Sequence, residues 1–157
     1  MKMEHMILYM IYGCTFISLA YIPKSKWREA SIAFLFQQTV TWSLGLIPVE
    51  FHLLEYPARE LSSVNGTSLL FEFLVYPIIG SFFCIYYPRT NKRWKKFLYI
   101  SGFCSVLTIL EVIIEKYTDL IHYIHWDWYV SWLSMYATLY LLWVFYSWYF
   151  KIEKNHT

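Results

Sequence analysis

The stretch RTNKRWKKF (89–97), running straight into LYISGFCSVLTILEVIIEKY (98–117), decides how this chain is read. A dense basic run gives way to an apolar block, and acidic residues return only at Glu111 and Glu115. A helix rises 1.5 Å per residue, so about 20 apolar residues cross a bilayer core about 30 Å thick. Working outward, four further blocks approach that length: 6–22, 30–49, 67–88 and 128–150. The pattern predicts an all-α, polytopic membrane protein with five transmembrane helices in a single domain spanning residues 1–157.

Composition agrees. Apolar residues make up 58% of the 157 residues and aromatics 22%, while charged residues fall to 15%, against roughly 25% in soluble domains. The first block lacks a small-residue cleavage site before Pro23 and balances Lys2 with Glu4. Both features favour a retained span over a secretory leader. Cys14, Cys84 and Cys104 lie singly inside apolar blocks and read as packed thiols with no disulfide or zinc framework. Asn65-Gly66-Thr67 fits a glycosylation sequon but reads better as a turn beside the third span.

The connections alternate in charge. Lys24, Lys26 and Arg28 precede the second block; Glu50, Glu55 and Glu60 follow it. Arg89, Lys92, Arg93, Lys95 and Lys96 precede the fourth block; Asp119 and Asp127 follow it, and Lys151 and Lys154 close the chain. Short Lys/Arg-rich loops stay cytoplasmic, which puts the N-terminus outside and the C-terminus inside. The basic loop 89–96 is expected to lie against anionic lipid headgroups. Trp and Tyr at both ends of the last block are placed as interfacial anchors. Within that block Tyr129, Trp132, Tyr136, Leu139, Trp143, Tyr146 and Phe150 share one helix face and read as a packing seam.

Polar side chains inside the blocks are the anomaly, since helices satisfy their own backbone. Gln38, Thr41, Gly45, Pro48 and His52 fall at helical steps; so do Glu72, Tyr76, Gly80 and Cys84, and so do Ser101, Cys104, Ser105, Thr108, Glu111 and Glu115. Three consecutive helices thus carry faces expected to meet one another. Pro77 frees the carbonyl of Phe73 for packing or a ligand. Glu72 and Glu111 sit at matched depth, about 8 Å inside the outer end of their blocks. Ionisable residues there are functional candidates by default. If the two face one another they are not both comfortably ionised; Arg59, Lys116 and the histidines are the available partners.

The candidate binding or proton site is therefore Glu72, Glu111, Glu115, His52, His122 and Arg59. If the fourth helix continues to His122, then Glu111, Glu115, Asp119 and His122 line one face. Oxygen and imidazole groups at such steps are of the kind that holds a divalent cation, although no HExxH occurs. Ser62, Ser63 and His52 lie near one another in sequence, yet no nucleophile elbow, phosphate-binding loop or nucleotide-binding glycine motif accompanies them, so no catalytic residue and no cofactor is assigned.

Four stretches carry a resemblance: EYPARE (55–60), FEFLVYP (71–77), the run from Glu111 ending EKYTDL (115–120), and WDWY (126–129). Over roughly residues 50–151 the chain resembles a family of small five-span membrane proteins from spore-forming Gram-positive bacteria. The resemblance implies a bacterial plasma membrane and five spans. It brings no activity and no site residue. The expected partners are the lipid bilayer and either a second membrane protein or further copies of the chain, and not nucleic acid. The reading placed first is a non-catalytic partner subunit or envelope sensor. Two alternatives stand beside it: a cation- or proton-binding or permeation module with an acidic, histidine-bearing outer vestibule, and a lipid-acting membrane enzyme.

Overall fold

The computed structural model describes residues 3–59, 66–90 and 92–152. Five helical segments follow in order: α1 (Met3–Leu19), α2 (Trp27–Glu50), a wide turn of helix over Phe71–Val75 that runs into α3 (Tyr76–Ile85), α4 (Arg93–Tyr117) and α5 (Trp128–Tyr149). Among the described residues the regular structure is helical apart from a two-stranded ribbon joining two loops, β1 (Leu54–Glu55) and β2 (His122–Tyr123). The stretches Lys24–Glu50 and Arg93–Tyr117 are long and apolar enough to cross a membrane. The remaining segments are less suited by length or composition alone: α1 has 17 residues, α3 has 10 beyond its wide turn, and the 22 residues of α5 are rich in Trp and Tyr.

Helix α2 packs along α3 and α5, and α4 packs along α5, forming a four-helix core. Small residues set the closest approaches. A Cβ at Gly80 would lie 2.9 Å from Cδ2 of Leu142, so a larger residue there would have to displace the Leu142 side chain where α3 meets α5. One end of the bundle is filled by aromatic rings. Tyr87 stacks on Trp143 at 3.6 Å, and Phe83 meets Tyr87, Tyr99 and Phe103. At that end Glu29 ties α2 to α5, accepting from the Tyr146 hydroxyl at 2.5 Å and pairing with Lys26 at 2.7 Å. Helix α1 lies to the side, with Leu8 against Leu70 and Leu120.

Outward faces invert the soluble pattern. Val106, Ile109, Leu110 and Ile113 of α4 are exposed, as are Leu35, Trp42, Leu44 and Ile47 of α2, whereas Gln37, Thr41 and Thr108 are buried. The seam on α5 is largely inward: Leu139 and Tyr146 are buried and Trp132, Tyr136, Trp143 and Phe150 pack on the core, while Tyr129 is exposed.

Three local features differ from the sequence reading. First, α4 begins at Arg93 within the basic run and ends at Tyr117, where Thr118 turns extended (φ −143°, ψ 163°). The helix does not reach His122, so Asp119 and His122 do not continue the Glu111–Glu115 face. Second, the described part of the connection after α2 pairs with the loop after α4, a link that the sequence reading did not anticipate. Leu54 pairs with Tyr123 and Glu55 with His122, and Ala58 donates its N–H to the carbonyl of Asp119 at 3.0 Å. Third, α2 closes on His52, which adopts φ 51°. The N–H of His52 bonds to the Val49 carbonyl (3.0 Å) and that of Leu53 to the Pro48 carbonyl (2.8 Å), the paired bonds of a helix stop usually built on glycine. Helix α5 stops in the same way at Lys151 (φ 47°).

The wide turn has a cause in the sequence. Pro77 has no N–H to offer the carbonyl of Phe73. Gln38 Nε2 donates to that carbonyl at 3.0 Å, replacing the lost bond across the α2–α3 interface. Such wide turns often lie at functional sites, and this one carries Glu72.

Candidate functional site

Two carboxyl groups lie near one another at the end of the bundle opposite the basic loop, that of Glu72 buried and that of Glu111 half-buried. Glu72 is 7% exposed. Its backbone carbonyl accepts from Thr41 Oγ1 at 2.7 Å, fixing the turn against α2. Its side chain lies over Gly45, where a Cβ would sit 2.7 Å from Cδ and Oε1. The Tyr56 hydroxyl donates to Oε1 at 3.4 Å. Tyr56 is 5% exposed and is held by the ribbon and by Arg59, whose Nη1 donates to the Tyr56 carbonyl at 2.6 Å.

Glu111 is bound more heavily. Its Oε1 accepts from the Tyr123 hydroxyl at 2.6 Å and from Ser131 Oγ at 2.7 Å, while Oε2 accepts, among the described residues, from the Tyr76 hydroxyl alone, at 3.3 Å. Ser131 in turn accepts from the indole N–H of Trp126 at 2.7 Å. The donors come from the wide-turn helix (Tyr76), the ribbon (Tyr123), the loop after it (Trp126) and α5 (Ser131). The two acids interact electrostatically with one another and with Tyr56. Tyr76, one turn after Glu72 in its own helix, bonds to Glu111 and so links the two.

Among the described residues, neither Glu72 nor Glu111 has a Lys, Arg or His within ion-pair distance. Both are satisfied by neutral hydroxyl donors. Hydroxyl groups can donate to a carboxylate or, by rotating, accept from a protonated acid, so the cluster suits either state. Burial holds the phenols of Tyr56 and Tyr123 well above the usual tyrosine value, and the nearby glutamate charges push the same way.

Among the described residues, none of the other sequence candidates bonds to the carboxyl group of Glu72 or Glu111, although Glu115 and Arg59 adjoin the tyrosines around them. Glu115 is half-buried one turn beyond Glu111 and interacts with Tyr123. His52 is exposed and serves as the stop of α2. His122 is exposed and meets Asp119, with Nε2 3.4 Å from Oδ1. Arg59 braces the backbone of Tyr56. Lys116 is exposed, over the Tyr117 ring at 6.0 Å. Glu60, Ser62 and Ser63 lie outside the described residues. No group of three or more His, Cys, Asp or Glu able to hold a metal ion occurs among the described residues. Arg89, Lys92, Arg93 and Lys95 are exposed at the far end, with Lys96 half-buried.

The strip on α4 was expected to face α2 and α3, but it lies largely on α5. Ser105 Oγ accepts from the Trp132 indole at 3.2 Å, Thr108 Oγ1 lies 3.8 Å from the Met135 sulfur, and Glu111 meets Ser131. Sequence reasoning missed Tyr56, Tyr123 and Ser131 as site members. Trp126 had been placed as an interfacial anchor. Comparison with family models, curated proteins and solved structures gives no match.

Proposed function

We propose that the chain is a five-span integral protein of a bacterial plasma membrane, with its N-terminus outside and C-terminus inside. In this reading it is a non-catalytic partner subunit or envelope sensor whose responsive element is the acid–tyrosine cluster, a site for a proton or a cation. One observation carries the proposal: two neighbouring carboxyl groups, Glu72 buried and Glu111 half-buried, are hydrogen-bonded by neutral donors, with no cationic side chain paired to either among the described residues. A buried carboxylate without a counter-charge is costly. Such a pair relieves that cost by sharing a proton or by taking a cation. The apolar outward faces of α2 and α4 support a lipid surround, since soluble monomers rarely carry such patches. The alternating loop charges support the orientation.

The test is infrared difference spectroscopy of the purified protein in lipid nanodiscs as pH is changed. Carboxyl bands that respond to pH and vanish in E72Q or E111Q are expected. A double variant whose difference spectrum matches that of the wild type overturns the reading.

A further inference from the structure

A cavity of about 240 Å³ opens beside the cluster, between α1, the wide-turn helix and α4. Its wall is almost wholly apolar, with Ile11, Phe71 and Ile114 among its members; its polar members are Glu111 and the tyrosines Tyr56 and Tyr76. We propose that this cavity binds a small amphiphilic organic ammonium ion, its charged head at Oε2 of Glu111 and its apolar body among the surrounding side chains. The proposal rests on the cation-site reading above and names the class of cation.

Three features select this class. The first is the inequality of the two carboxyl oxygens. Oε1 accepts two short bonds, whereas Oε2 accepts one at 3.3 Å, so the negative charge at Oε2 is the less compensated by donors. The second is the aromatic wall. Tyr56, Phe71 and Tyr76 line the cavity, and aromatic rings attract a cation most when it is shielded from water. The third is size and dryness. An apolar cavity of about 150 Å³ admits benzene, so this one has room for a ring carrying a short charged chain. An inorganic cation would lose its hydration to hydrocarbon walls, and an anion would meet Glu111. A neutral hydrocarbon would fill the space and leave the carboxylate uncompensated.

Benzyltrimethylammonium and neopentylbenzene test the idea, because they share a shape and differ in charge. Calorimetric titration of the protein in nanodiscs, referenced to empty nanodiscs, should show saturable binding of the ammonium ion. E111Q should weaken it by about tenfold or more, since it removes the buried counter-charge. Neopentylbenzene should compete poorly. I11A, a change on the peripheral α1 wall, should bind the bulkier benzyltriethylammonium more tightly than the wild type does. Absence of saturable ammonium binding overturns the proposal. So does equal competition by neopentylbenzene together with an unaffected E111Q, which would mark a merely apolar void. If ammonium binding fails while the carboxyl infrared bands still respond to pH, the ligand class is wrong and the site reading survives. If both fail, the site reading falls as well.

Discussion

Gly45 on α2 and the carboxyl group of Glu72 occupy one another's space: a Cβ at position 45 would lie 2.7 Å from both Cδ and Oε1 of the acid. The glycine is the socket that lets an acidic side chain fold back between two helices. G45A should drive the carboxyl group out of its place and away from the Tyr56 hydroxyl. Overpacking of this kind costs about 1–3 kcal/mol, and thermal unfolding in detergent should report it. Because the clash is with one side chain, G45A combined with E72A should cost less than the sum of the two single changes. Strict additivity would mean that the two sites are uncoupled.

The phenols of Tyr56 and Tyr123 supply a pH prediction. Both lie in the ribbon region, and burial, aided by the glutamate charges, holds both above the ordinary value, which is about 10. Just above that pH the folded protein retains protons that the unfolded chain has released. The stabilisation is therefore complete below pH about 10 and is lost as pH rises beyond it. Tyrosinate absorbance assigned by difference from Y56F and Y123F should appear only above that range. In E111Q the Tyr123 phenol should ionise earlier, yet still late, because burial is the larger cause. Ionisation of Tyr123 at the ordinary pH would show an open cluster.

How much of this was legible in the sequence depends on the kind of contact. Glu72 and Glu111 stood out because an ionisable group in an apolar run is conspicuous without any knowledge of the fold. The bond from Gln38 to Phe73 was half-legible. Proline marks the unpaired carbonyl, and a polar residue at helical spacing marks a donor, but only the packing of α2 on α3 joins them. Tyr56, Tyr123 and Ser131 were hidden. Tyr56 and Tyr123 meet the acids because two loops far apart in sequence zip into two-residue strands, too short to leave an alternation of apolar and polar residues, and Ser131 meets Glu111 where α5 packs on α4. His52 was legible as a histidine among acids, but its left-handed backbone as the stop of α2 was not, since that position is usually glycine. The strip on α4 carried no sign of which neighbour it faced, since small and hydroxyl residues suit any close helix.

Orientation has its own test. In a background with Cys14, Cys84 and Cys104 replaced, a single cysteine at the exposed Asp119 should react with an impermeant thiol reagent applied to intact cells. One at Thr90, beside the basic loop, should react only after lysis. Labelling of position 90 from outside would reverse the orientation drawn from the loop charges.

Ser131 is where the network is most exposed to a single change. Its hydroxyl accepts from the Trp126 indole at 2.7 Å and donates to Glu111 at 2.7 Å, and it lies 3.2 Å from the Tyr123 hydroxyl. It is 2% exposed, so water does not readily replace it. S131A removes one donor from Glu111 and leaves the Trp126 N–H without its partner. Leaving a buried polar group unpaired costs about 1–3 kcal/mol. The expected result is a lower melting temperature together with a shift in tryptophan emission, and the emission shift should be absent when Trp126 is first changed to Phe. S131T, which keeps a hydroxyl, should restore much of the stability if its methyl group is accommodated. The sharper readout is the pH response of the Glu111 carboxyl band, which S131A should displace while leaving the Glu72 band nearly in place, because Ser131 bonds to Glu111 alone of the two acids. An unmoved Glu111 band would mean that Ser131 only fills space between α4 and α5.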